Sequence, residues 1–188
     1  MFDHLLIQQP ARQLALQAVN GRDIANTVMP AATVADARKF ELLVDGARKR
    51  LHHWVVRKPA TGGYNCAGHV FACRRTAVFE SKGGESFETH VRLILGWDGY
   101  RLTERPLPGD VVLYWADGRR TNLLHLGAVS EVRPLQGGVG DGVPHVLSKW
   151  DAGSGECLHH VRHVPAFFGE DFEVEYWTDR LHPTGAAP

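Results

Sequence analysis

From about residue 108 to residue 179 the chain changes its hydrophobic period, and this change limits its folding more than any other feature. The segments DVVLYWA, LLHLGAVSEV, PHVLSKW, ECLHHVRHV and FEVEYWTD are short and rich in β-branched and aromatic residues. ADGRRTN, GGVGDG and DAGSG, all turn chemistry, lie between them. The segments therefore read as strands. Ahead of them the period is helical. Val34, Ala37, Phe40, Val44, Ala47, Leu51 and Trp54 form a stripe at helix spacing, with Thr33 as N-cap and Pro30 just upstream. ARQLALQAVN reads as a shorter helix closed by Asn20-Gly21. Phe87, Val91, Ile94 and Leu95 share a face of a further helix at about 86–95, with Gly96 as a terminator. Residues 1–58 thus read as a helical N-terminal extension, and RKPATGGY as the break before the main domain, 59–188. Helices followed by a run of strands predict an α+β domain: N-terminal helices packed on an antiparallel sheet.

A chain of 188 residues suits one compact domain with an extension. Lys plus Arg and Asp plus Glu each number 21, so no basic surface invites nucleic acid or an anionic membrane. No apolar run approaches the ~20 residues of a membrane span. The start, MFDHLLIQQPARQ, lacks the basic n-region and long apolar stretch of a signal peptide. The expected location is the cytoplasm, or outside it by a route that needs no such signal. Three cysteines argue against a disulfide framework. No cofactor is expected.

The chemistry centres on GGYNCAGHVFA. With Asn65 as N-cap, Cys66 falls at the first position of a helix, where free N–H groups and the positive end of the dipole favour a thiolate. The same N–H groups suit an oxyanion. Gly62 and Gly63 would let a substrate backbone approach. A nucleophilic thiol needs a base, and His125 is the best candidate, sharing a strand face with Gly127. By themselves, a buried helix cysteine and a surface strand histidine account for these residues more plainly.

Taken in order, YNCAGHVFA, LPGDVVLYW and HLGAVSEV resemble the motifs of the NlpC-type and CHAP-type cysteine peptidases of the papain-like superfamily. The resemblance covers roughly residues 60–165. It implies a papain-like fold, in which Cys66 opens a helix, Pro108-Gly109-Asp110 turns into the first core strand, and His125-Leu126-Gly127 lies on the next. It further implies a third catalytic residue on the following strand. By register that is Ser148, with Asp151, Lys149 and His159 as alternatives. Asn65 stands where the NlpC group usually has Asp, and SKWDAGSGECLHH resembles a bacterial branch with SKWG-like strands.

The implied activity is a cysteine hydrolase that cleaves an amide or isopeptide bond. Tyr64 and Asn65 would lie near the oxyanion or cleft, and a peptidoglycan stem peptide is the first suspected substrate. An antibacterial effector role follows from pairing that resemblance with the absent signal sequence. The alternatives are a transglutaminase-like acyltransferase on the same Cys-His pair, or a catalytically inactive binding module. The N-terminal helices would offer a surface to a protein partner.

Other residues carry plainer expectations. Cys73, two helical turns past Cys66, reads as a small core residue, and His69 as a surface neighbour of the thiol. Cys157, His159 and His163 would share a strand face, but the spacing of paired metal ligands is lacking, so no metal is assigned. Asp110 is expected to shape its turn.

Overall fold

The computed structural model describes residues 12–79, 83–116, 118–135 and 142–180. In chain order the elements are α1 (Val34–Lys49), β1 (Trp54–Lys58), α2 (Cys66–Phe71), α3 (Phe87–Trp97), β2 (Arg101–Leu102) and β3 (Val111–Trp115). After these come β4 (Leu123–Arg133), β5 (Val143–Lys149), β6 (Glu156–His160), a 3-10 turn (Ala166–Phe168) and β7 (Glu173–Thr178). The strands form one sheet in the order β1-β6-β5-β4-β3-β7-β2, with every neighbouring pair antiparallel. This is the α+β architecture with an antiparallel sheet that the change of period predicts. Among the described residues, no helix is long and apolar enough to cross a membrane.

The sheet is covered on both faces. On one, Val111, Leu113, Trp115 and Leu126 meet Ala67 of α2 and Val91, Ile94 and Leu95 of α3. On the other, Val112, Tyr114 and Val146 meet Trp150, Phe168 and Phe172. Trp54 links this second core to a smaller cluster in which Phe40 and Val44 of α1 pack on Cys157. α1 starts where the sequence suggests: the Thr33 hydroxyl accepts the Asp36 N–H at 3.2 Å, and the Asp36 carboxylate accepts the Thr33 N–H at 2.8 Å.

The N-terminal reading needs correction. Residues 12–20 are not a helix. Gln17 and Asp23 pair across a loop that turns at Gly21 (φ 81°), and Ala18 and Ile24 enter the core beside α3. The helical stripe ends at Lys49, short of Trp54, and Trp54–Lys58 is a strand paired with β6. Tertiary pairing outweighs a periodicity that carried on past the helix end. α2 stops at Phe71, so Cys73, expected in the core two helical turns past Cys66, lies exposed on the turn with φ 48°. Asp110 does shape its turn, accepting the Leu107 N–H at 2.8 Å, and it also pairs with Arg180.

The β5–β6 hairpin meets β1 and α1 at Gly155. A Cβ there would lie 2.2 Å from the Lys58 carbonyl oxygen and 2.5 Å from a Phe40 ring carbon. Gly155→Ala should therefore cost about 1–3 kcal/mol from overpacking. Urea unfolding measures this, and an unchanged midpoint would mean that the backbone yields freely there.

Candidate functional site

Asn65 sets the start of α2. Its side-chain oxygen accepts the Gly68 N–H at 2.9 Å and the Val78 N–H at 3.0 Å, and its amide donates to the Val78 carbonyl at 2.6 Å. Gly68 permits the same close approach, since a Cβ there would meet the Thr76 carbonyl oxygen at 1.8 Å. Cys66 thus occupies the first helical position, as the sequence indicates. It is half-buried and packs at the margin of the α2/α3 core. Burial pushes its thiol up to about 11, against the opposing effect of N–H groups from Leu126, Ala67 and Cys66 itself and of the Lys149 charge. The ladder between β4 and β5 runs from Ala128 and Leu147 outward, so the Leu126 end of β4 lies open toward α2.

His125 is not beside the thiol. Leu126 faces the core that Cys66 joins. His125, the next residue along the strand, pairs with Tyr114 on the opposite face. Its ring lies 4.7 Å from Trp150, 5.8 Å from Tyr114 and 6.1 Å from Phe168. Nε2 is buried without a hydrogen-bond partner. Burial first, then the nearby His159 and His69, hold the imidazole well below its usual range, so it is neutral. The space expected beside Gly127 is taken by Val146 and Ser148.

Ser148 and His159 lie on that far face too, fully buried, with Ser148 Oγ 2.9 Å from His159 Nε2. His159 Nδ1 lies 2.8 Å from the His160 carbonyl and must donate to it, so Nε2 accepts the serine proton. This closed pair orients neither Cys66 nor His125. Asp151 is a turn former, accepting the N–H groups of Gly153 (2.8 Å) and Ser154 (2.7 Å) and pairing with Lys39 at 3.2 Å.

On the thiol's side of the sheet lies Lys149, whose charge is the smallest of the influences on the thiol. The lysine is fully buried and stands opposite Glu156 in the β5–β6 register. Its Nζ donates to the Thr61 carbonyl at 2.6 Å and to the Ser154 carbonyl, and lies 4.6 Å from the centre of the Tyr64 ring. Burial lowers Lys149 to about 8, although Asp151, Glu156 and Cys66 favour its charge. Tyr64 donates its hydroxyl to Glu156 at 2.5 Å and accepts Lys58 at 3.2 Å. Arg74 reaches the same carboxylate at 2.7 Å, and His69 Nδ1 lies 3.5 Å away. Burial alone would raise Glu156, but His69, Arg74 and Tyr64 hold it well below the usual carboxylate range.

Several expectations change accordingly. Tyr64 and Asn65 are committed to Glu156 and to the helix cap, so the donors facing the sulfur are backbone N–H groups. The backbone that approaches Gly62 and Gly63 is the chain's own: Gly63 N–H donates to the Pro30 carbonyl at 3.1 Å, and a Cβ on Gly62 would lie 1.8 Å from that oxygen. His69 is buried rather than on the surface. Cys157 and His159 share a face, but His163 sits on the turn beyond β6, beside His52 and His160. Among the described residues, no group of three or more His, Cys, Asp or Glu side chains is placed to hold a metal ion.

Sequence reasoning overlooked Glu156, Lys58 and Arg74. Glu156 was within reach, because a hairpin closed by DAGSG sets it opposite Lys149. Arg74 gave no signal, since it depends on a left-handed residue (φ 64°) after α2.

The cap distinguishes Asn from Asp. Asn65→Asp keeps the N-cap acceptor but turns the donor to Val78 into a carboxylate oxygen facing a carbonyl. It should cost about 1–3 kcal/mol in urea unfolding, where exposed Asn122→Asp costs almost nothing. Equal stability of the two variants would mean that the Val78 contact contributes little.

Compared with family models, with curated proteins and with solved structures, the chain shows no match.

Proposed function

We propose that the chain is a thiol-dependent acyl-transfer enzyme, first of all a cysteine hydrolase of amide or isopeptide bonds, in which Lys149 rather than His125 is the ionisable partner of Cys66. The observation that carries this reading is that the Lys149 charge acts on the thiol, as the smallest of the influences on it, whereas His125 lies across the sheet.

The chemistry follows from the two acidities. With the thiol at about 11 and the ammonium at about 8, the resting pair at neutral pH is a protonated thiol beside a protonated amine. This is unlike a preformed thiolate–imidazolium pair. As pH rises through about 8, Lys149 loses its proton and becomes the base. It takes the Cys66 proton as sulfur attacks the carbonyl carbon, and the N–H groups of Leu126 and Ala67 favour the negative charge. The ammonium then protonates the departing amine, which leaves a thioester on Cys66. Lys149, neutral again, activates the water that releases the acid and restores the thiol. An amine in place of that water gives the acyltransferase variant. A peptidoglycan stem peptide, and with it an antibacterial role, rests on the resemblance of the sequence motifs alone.

A second reading has its own support. A thiol held neutral, with the imidazole on the wrong face, also describes an inactive binding module.

Alkylation of Cys66 by iodoacetamide, followed by mass spectrometry from pH 5.5 to 10, separates the two. The enzyme reading expects the rate to rise around pH 8 in the parent and in His125→Gln. Lys149→Met should be at least about tenfold slower at pH 8.5, one pKa unit being a factor of ten. An identical profile in Lys149→Met removes the lysine from the mechanism. Hydrolysis of a peptide library, with Cys66→Ala as the control, then tests turnover.

A further inference from the structure

Five of the eleven histidines gather at one edge of the sheet, away from Cys66. His145 stands opposite both His160 on β6 and Glu131 on β4. His53 directly precedes Trp54, whose partner is His159, so it falls beside His160. With His163 and Arg133, these histidines line a hollow of about 230 Å³.

His163 is the keystone of the turn after β6. Its ring stacks on His52 with centroids 4.4 Å apart and planes within 3°, and it lies 4.7 Å from His160. Nδ1 of His52 and Nδ1 of His163 are buried without hydrogen-bond partners. His160 Nδ1 accepts the Arg162 N–H at 2.9 Å, so its neutral form carries the proton on Nε2. The turn is fastened by its carbonyls: His163 accepts Trp54 Nε1–H at 2.7 Å, and Val164 accepts Arg50 at 2.8 Å. Just beyond, the 3-10 turn sets Phe168 against Tyr114, His125 and Trp150.

The charges around this cluster are mostly positive. Arg50 flanks His52, Arg162 lies beside His160, and Arg57 and Arg133 face Glu131. Glu131 is engaged by Arg133 at 2.6 Å. A proton added to either stacked ring therefore meets mostly like charge, although the Val164 backbone favours one on His52, and both stacked rings cannot carry one together.

We propose that the His52–His163 stack is an acid-operated latch, whose protonation parts the turn after β6 from the β1 edge and lifts Phe168 off the Tyr114–His125–Trp150 cluster. This holds whatever Cys66 does. Burial lowers His52, with Arg50 adding to it and the Val164 backbone opposing it, and lowers His163 to about 4, with His52 and His160 adding to it. The closed state thus binds fewer protons than the open one. Its advantage is complete above the ordinary histidine value of about 6.5 and is lost as pH falls toward about 4.

The test is hydrogen exchange at residues 161–169, corrected for intrinsic rates, at pH 7 and pH 5. In the closed form the amides of Val161, His163, Phe168 and Gly169 are all hydrogen-bonded. The parent should lose protection there by at least about tenfold at pH 5, a factor of ten per pKa unit, while α3 keeps its protection. The double variant His52→Phe with His163→Phe keeps a stacked pair that cannot titrate, and its loss should be under about twofold. Unchanged protection in the parent overturns the latch. So does an equal loss in α3, or an undiminished loss in the double variant. If the double variant fails to fold, His163→Gln decides: the turn should already be loose at pH 7 and respond little to pH 5, and a parent-sized response would overturn the proposal.

Discussion

Lys149 and Glu156 face each other across the β5–β6 hairpin, both out of water, and the front of α2 is arranged around them. Burying two opposite charges is costly unless the remaining donors and acceptors are matched. Here most of the matching comes from distant parts of the chain, and Ser154 adds a carbonyl from within the hairpin. Thr61 and Ser154 supply carbonyls to the ammonium, and Arg74 and Tyr64 supply donors to the carboxylate. Both Lys149 and Lys58 lie against the Tyr64 ring, 4.6 and 5.1 Å from its centre. These bonds tie the hairpin, the pre-helix loop and the turn after α2 to one another.

A sheet with two covered faces sorts its residues strictly. Alternate positions on β4 and β5 go to different environments, and this separates His125 and Ser148 from Cys66 while placing Lys149 where its charge acts on the thiol. One step along β5 decides between Ser148, closed on a buried histidine, and Lys149, bonded to the Thr61 carbonyl on the other face. Both histidines on the far side, His125 and His159, are held neutral by burial. They are tilted against Trp150 like other members of an aromatic core, 4.7 and 4.8 Å from its ring centre with the planes at 35° and 42°.

Much of the scaffold was legible in the sequence. The strand segments, the Thr33 and Asn65 caps, the turn at Asp110 and the helix that begins at Cys66 all follow from local chemistry, and the structure contains each of them. What escaped was decided at a distance. Trp54–Lys58 continues the helical stripe by composition but finds a partner in β6. ARQLALQAVN has helix-forming residues, yet Asn26 ties Leu14 to Ile24 and Thr76 in a looped arrangement. The pairing of Cys66 with His125 rested on motif order, which says nothing of the face a side chain takes. Register does say it, and alternation from Leu126 would have placed His125 across the sheet.

One of the two outer strands of the sheet, β1, is the earliest strand among the described residues. β1 has β6 as its neighbour, and the paired residues Trp54 and His159 are separated by about a hundred positions of intervening chain. A ribosome therefore releases β1 long before its partner exists. Until Glu156–His160 emerges, Trp54 has no strand to lie against and Val55 and Val56 have no ladder to join. The hairpin that completes the charged network also gives the first strand its place, so assembly of the site and closure of the sheet are one late event.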